Sequence, residues 1–140
     1  MAIGRSSNAN VVHYEARLNS LSELERARPL VAYWVMLAED GRREELGWFE
    51  RQFAYGWSQV SRTEARRLEV RLMAFSRRSL VVRVEASGAV RAELRISGRA
   101  AVLQRIFVQL ADGGGPTVRH IDLFGTELDR GRPLRERLEP

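Results

Sequence analysis

Between Leu80 and Ser97 apolar and polar side chains alternate with a period of two. A helix over this stretch would set Arg83, Arg91 and Arg95 against apolar neighbours. Val90, Ala92, Leu94 and Ile96 share one face, and Arg91, Glu93, Arg95 and Ser97 share the other. Leu80, Val82 and Val84 oppose Arg83 and Glu85 in the same way. Ala86-Ser87-Gly88-Ala89 supplies a turn between the two runs, so the pattern predicts a β-hairpin.

The same signal recurs along the chain. Leu68, Val70 and Leu72 predict a strand that turns at Ser76 to Ser79. Val102 to Leu110 predicts another, ending at Asp112 and three glycines, and Val118 to Phe124 a last long one stopped by Gly125. Upstream, Asn10 to Leu18 alternates around Val12, Tyr14 and Ala16. Leu30 to Leu37 is apolar on both faces, as expected of a central strand. Leu21 to Arg28 reads as a charged connection closed by Pro29.

One short helix is expected around residues 43–55, where Leu46, Phe49 and Phe53 fall at i, i+3 and i+7, Glu44 and Glu45 sit near its start, and Gly56 follows its end. Ser61-Arg62-Thr63-Glu64 matches a capping box, but the β period after Leu68 competes with it. About seven strands with frequent turns imply an all-β, mainly antiparallel domain, either a small barrel or a sandwich. The 140 residues fit a single domain, 1–140, with no second core.

Composition narrows the chemistry. With no cysteine, disulfides, thiol nucleophiles and Cys-type zinc sites are excluded. The charge-free run Pro29 to Ala38 is far shorter than the ~20 apolar residues that a spanning helix needs. Met1-Ala2-Ile3-Gly4 leads directly into Arg5 without an apolar signal core, so the expected location is cytoplasmic as written, or the cell envelope if a signal segment has been trimmed. All 23 basic residues are arginine, and residues 71–140 carry 13 of them against 8 acids, which accounts for the whole net charge of +5. Every Trp and Tyr lies between Tyr14 and Trp57, so the aromatic and basic segments are distinct.

Three stretches together resemble a known family. They are Arg5-Ser6-Ser7-Asn8-Ala9-Asn10-Val11-Val12-His13-Tyr14-Glu15, then Tyr33-Trp34 through Glu50-Arg51-Gln52-Phe53-Ala54-Tyr55-Gly56, and Ile121-Asp122-Leu123-Phe124-Gly125. In this order and at this length the chain resembles the bacterial family catalogued as domain of unknown function 4833. The resemblance covers nearly the whole chain. It implies a compact single domain, with some relatives entering the cell envelope behind a signal segment, and it implies no activity. Relatives have an apolar strand before the Arg-Ser motif, whereas here only Met1 to Gly4 precede it.

His120 and Asp122 stand two apart on a predicted strand and share a face, an arrangement that can orient an imidazole as a general base. No nucleophile motif accompanies them, and the chain reads as non-catalytic. Asp122, in an apolar strand before a glycine, is expected to be at least partly buried and paired with Arg51 or Arg105. Arg105 reads either as that partner or as an outward strand residue. Arg51 and Tyr55, one helical turn apart, suit a carboxylate or phosphate ligand, or else a helix-to-strand corner in which Arg51 binds backbone carbonyls. Asn8 and Asn10 read as turn residues, and Arg130 to Arg137 as a solvated tail. His13 and His120 are too isolated to predict a metal site, and no cofactor is expected.

Two function classes follow. The first is a binding or scaffold module holding an apolar or amphipathic small molecule, with Arg51, Tyr55, Arg105, His120 and Asp122 as candidate ligand-binding residues. The second is nucleic-acid or other polyanion binding through Arg71, Arg83, Arg91, Arg95 and Arg105. That alternative lacks aromatics interleaved with the positive charge.

Overall fold

The structure is a computed structural model that describes residues 1–113 and 117–140. It is mainly antiparallel β with one short helix. The strands are β1 (Ala2–Arg5), β2 (Asn8–Ala16), β3 (Leu30–Val35), β4 (Arg43–Glu45), β5 (Trp57–Gln59), β6 (Arg67–Leu72), β7 (Phe75–Val84), β8 (Val90–Ile96), β9 (Arg99–Leu110), β10 (Val118–Glu127) and β11 (Pro133–Leu138); the helix α1 (Trp48–Phe53) lies between β4 and β5.

All seven expected strands form, as β2, β3 and β6 to β10, and four more join them. β1, β4 and β5 are too short to show a period of two. β11 is carved from the expected solvated tail, and its charges disguise it. Two turns differ from expectation. β6 and β7 turn at Met73–Ala74, because Leu72 already pairs with Phe75. β10 runs through Gly125 to Glu127.

The topology is governed by β9. Along one edge it pairs with β10, which in turn pairs with β11. Along its other edge it pairs first with β8, through Arg99 to Val102, and then with β1 in parallel, through Arg105 to Val108. The sheet therefore splits into two wings, β8-β7-β6-β5 and β1-β2-β3-β4, that share β9 as a spine. The split coincides with a bulge. Leu103 pairs with Gly125 and Arg105 with Phe124, leaving Gln104 as the extra residue. This lets Leu103 and Ile106 both point inward. Among the described residues β4 and β5 end the path and do not pair with each other, so the sheet is open.

Both wings contribute to one core. Its central row runs across the strands as Trp34, Val12, Ile3, Ile106 and Leu123, each the register partner of the next and all buried. β3 is therefore not a central strand: it lies between β2 and the three-residue β4, and only Leu30 and Trp34 of its six residues are fully buried.

The helix is shorter than the expected 43–55, because Arg43–Glu45 hydrogen-bonds to β3 instead. It begins after Gly47, whose N–H donates to the Glu50 carboxylate at 2.9 Å. Its aromatic face also turns out differently. Leu46, ahead of the helix, is buried, whereas Trp48, Phe49 and Phe53 are exposed and pack mainly on one another, with Phe49 and Phe53 rings 4.9 Å apart. Phe49→Ser should therefore shift stability by less than about 1 kcal/mol. A chemical denaturation curve checks this, and a loss of the size expected for a core phenylalanine would restore the buried-face reading.

Candidate functional site

The two-residue period that builds the core also carries polar side chains onto its inner face. Arg5 follows Ile3 by two residues, Asn8 and Asn10 precede Val12, and Met36 follows Trp34. These positions meet at one end of the β1-β2-β3 wing, where Glu44, the register partner of Trp34, and α1 close around them. The result is a cleft of about 270 Å³ lined by Arg5, Asn8, Asn10, Trp34, Met36, Glu44, Glu45 and Glu50.

Arg5 is its centre. The guanidinium carbon lies 5.2 Å from the Trp34 ring centroid and 5.5 Å from that of Tyr55, within cation–π range of both. The two rings meet edge to face at 5.2 Å. Arg5 Nε is buried without a hydrogen-bond acceptor among the described residues. The Glu50 carboxylate is committed elsewhere, taking the Trp34 indole N–H at 3.1 Å on one oxygen and the Gly47 N–H on the other. Glu44 is held by Arg42 at 2.8 Å. Asn8 Oδ1 accepts from the Asn10 N–H at 3.0 Å, and Asn10 Oδ1 from the Ala38 N–H at 2.9 Å. Tyr14 fixes the back of the site by donating its hydroxyl to the Tyr55 carbonyl at 2.8 Å. Burial pushes the Tyr14 and Tyr55 phenols above their ordinary pKa, so both stay neutral at physiological pH.

Of the five ligand-binding candidates singled out from sequence, none lines this cleft, although the Tyr55 ring stands behind Arg5; Asn8 and Asn10, read as turn residues, do line it. Arg51 donates to the Leu46 carbonyl at 2.8 Å, as in the helix-to-strand corner, and is exposed whereas Tyr55 is buried. Arg105 points outward over Phe124, 4.6 Å from its centroid. His120 and Asp122 do come together, Nε2 to Oδ2 at 3.5 Å, on the outer face of β10. Asp122 is buried and ion-paired, but its partners are neither Arg51 nor Arg105. Arg135 donates to it at 2.8 Å and Arg137 at 3.0 Å, because β11 pairs with β10 and sets Arg137 opposite Asp122. The arginines of the β7-β8 face are largely neutralised: Arg83 pairs with Glu93, and Arg91 with Glu85 and Glu93. No group of three or more His, Asp or Glu side chains suited to a metal ion occurs among the described residues. No helix there is long and apolar enough to cross a membrane.

The Arg137 guanidinium, with Arg135 beside it, holds the Asp122 carboxyl well below the usual carboxylate range against the opposing effect of burial. A depressed folded pKa stabilises the fold above the unfolded value near ~4 and loses that contribution as pH falls through the folded value. Asp122→Asn should cost about 1–3 kcal/mol at neutral pH. The gap to the wild type should narrow steadily as unfolding is measured at lower pH, below about 4. A gap constant with pH would show that the pairing contributes nothing to stability.

The fold and the cleft define a small β-domain with a polar recess at one end of its sheet, in which the Arg5 guanidinium lies among Trp34 and three glutamates. The chain belongs to the family described as Domain of unknown function (DUF4833), whose model matches residues 1–137. No curated protein and no solved structure matches it. Arg5, Asn8, Asn10, Trp34, Glu50 and Tyr55 all come from the first two stretches that carry the family resemblance, and they converge on the cleft although they are distant in sequence.

Proposed function

We propose that this domain is a non-catalytic binding module that holds a small amphipathic molecule in the Arg5 cleft. The observation that carries the reading is the state of Arg5, a cation laid against two aromatic rings in the cleft, with a buried N–H that no group among the described residues accepts. A buried donor left unsatisfied costs about 1–3 kcal/mol, more when charged, and a ligand completing its surroundings would offset that cost. Trp34 and Met36 supply apolar wall, and the Asn8 and Asn10 amides with Glu44, Glu45 and Glu50 the polar wall. A non-catalytic role is favoured by the cleft's contents: its lining includes no Ser, Thr or His, and the Glu50 carboxylate is already doubly engaged.

The test is native mass spectrometry of protein purified from its own host, followed by a thermal-shift screen of small amphiphiles. The reading expects a bound small molecule, or a saturable rise in melting temperature that Arg5→Gln reduces. An unliganded mass together with no saturable shift would overturn it.

A further inference from the structure

We infer that a second binding site, separate from the Arg5 cleft, lies between the two wings of the sheet and takes an uncharged hydrocarbon group. Its origin is the split at β9. β8 and β1 both pair with that strand but not with each other, so no strand pairing closes the gap between the wings. The gap holds a pocket of about 220 Å³. Ala16 and Leu30 line it from one wing, and Val70, Leu72, Leu80 and Val82 from the other.

The inner face of β8 marks the way in. Val90, Ala92, Leu94 and Ile96 share that face, and burial fades along it: Ile96 and Leu94 are buried, Ala92 is half-buried and Val90 is 42% exposed. Val90 and Ala92 line the pocket, so two residues on the core face of their strand look into space rather than onto other side chains. Protein interiors hold few voids larger than a water molecule, and a lining without partner atoms forfeits its dispersion contacts. Hydrocarbon restores those contacts. An apolar cavity of ~150 Å³ stays dry and binds benzene, so this larger one has room for a short chain or a single ring.

The polar groups of the lining decide the ligand's charge. Tyr14 sends its hydroxyl away, to the Tyr55 carbonyl. Glu15 and Arg91 belong to the outward faces of β2 and β8, where Glu15 accepts the Tyr33 hydroxyl at 2.8 Å and Arg91 pairs with Glu85 and Glu93. They are of opposite sign and select neither an anion nor a cation. The Met1 amine donates to the Tyr14 carbonyl at 3.5 Å, and burial lowers its pKa, which reduces the charge it offers. Leu30, Val70, Leu72, Leu80 and Val82 bring no side-chain donor or acceptor. A charged group entering among them would lose its water without replacement, whereas hydrocarbon has none to lose.

The test titrates toluene, benzoate and benzylammonium into the full chain and follows methyl resonances by NMR. Toluene is expected to shift the methyls of Leu30, Leu72, Leu80 and Val82 saturably, and to bind at least tenfold more tightly than either charged probe. Ala92→Leu puts hydrocarbon into the pocket from one wing and Ala16→Leu from the other. Each should weaken toluene at least tenfold while leaving the melting temperature unchanged or raised.

No saturable shift, or shifts confined to methyls elsewhere, would overturn the inference. So would a charged probe that binds as tightly as toluene, or toluene binding that survives both leucine variants. If one variant fails to fold, the other decides. If both lower the melting temperature, the space cannot accept the added carbons and the inference fails. The pocket and the Arg5 cleft share no lining residue, so none of these results bears on the cleft.

Discussion

Trp34→Ala is expected to cost about 3–5 kcal/mol, the range for removing a large aromatic from a packed core and a large share of the ~5–15 kcal/mol that holds a domain of this size together. Trp34 is 8% exposed and begins the row that continues through Val12, Ile3, Ile106 and Leu123, so truncation opens a cavity at the end of the core. It also removes the indole N–H from Glu50, a face from Arg5 and an edge contact from Tyr55. Those losses fall on one cluster and will not add as independent terms. Trp34→Phe separates packing from polarity: it keeps most of the apolar volume but leaves one Glu50 oxygen without its donor, at about 1 kcal/mol. Urea denaturation of both variants checks the pair. An unchanged midpoint for Trp34→Ala would place the residue outside the core.

What could be read from sequence depended on how many side chains alternated in each element. Six of the seven expected strands were legible from apolar alternation, because burial of one face imposes a period of two, and β3 was legible as a short run apolar on both faces. β4 offers only Arg43-Glu44-Glu45, β5 is as short and β1 only one residue longer, so their pairing is a tertiary fact without a local signature. β11 did carry one. Leu134, Glu136 and Leu138 oppose Pro133, Arg135 and Arg137, and two arginines two residues apart are what a buried aspartate on a neighbouring strand requires. The helix failed differently: a periodic apolar face says that a helix is amphipathic but does not say what covers it, and here nothing in the described residues does. Arg5 was hard to single out because one arginine among 23 looks like the rest. The signal available was parity: it stands two residues after Ile3, at an inward position where an apolar residue would be expected, and Asn10 stands likewise before Val12.

Gly56→Ala should be at least as disruptive as loss of Trp34's neighbouring contacts, for a reason rooted in backbone packing rather than in glycine's conformational freedom. The residue is not in the left-handed region, but a Cβ built there would overlap the Arg51 carbonyl oxygen and lie 3.0 Å from its carbon. Both are backbone atoms at the end of α1, so no side-chain rotation relieves the clash. One way out is to lift the end of the helix, which strains the Tyr55 N–H bond to the Glu50 carbonyl at 2.7 Å. The other is to displace Gly56, which breaks its carbonyl's 2.9 Å hydrogen bond from the Met73 N–H, the link between this segment and the β6-β7 turn. Either movement drags Tyr55, whose carbonyl receives Tyr14 and whose ring forms one wall around Arg5. Overpacking of this kind typically costs about 1–3 kcal/mol, and losing one or two of these hydrogen bonds adds about 1 kcal/mol each. A total of roughly 3 kcal/mol or more is therefore expected. Gly47→Ala, at the other end of the same helix, is the control. There an added Cβ meets only the Glu50 side-chain oxygen at 3.4 Å, and the loss should stay below about 1 kcal/mol. Equal midpoints for the two variants in urea would mean that α1 does not rest on Gly56, and the cleft would then lose the contact that positions Tyr55 beside Arg5.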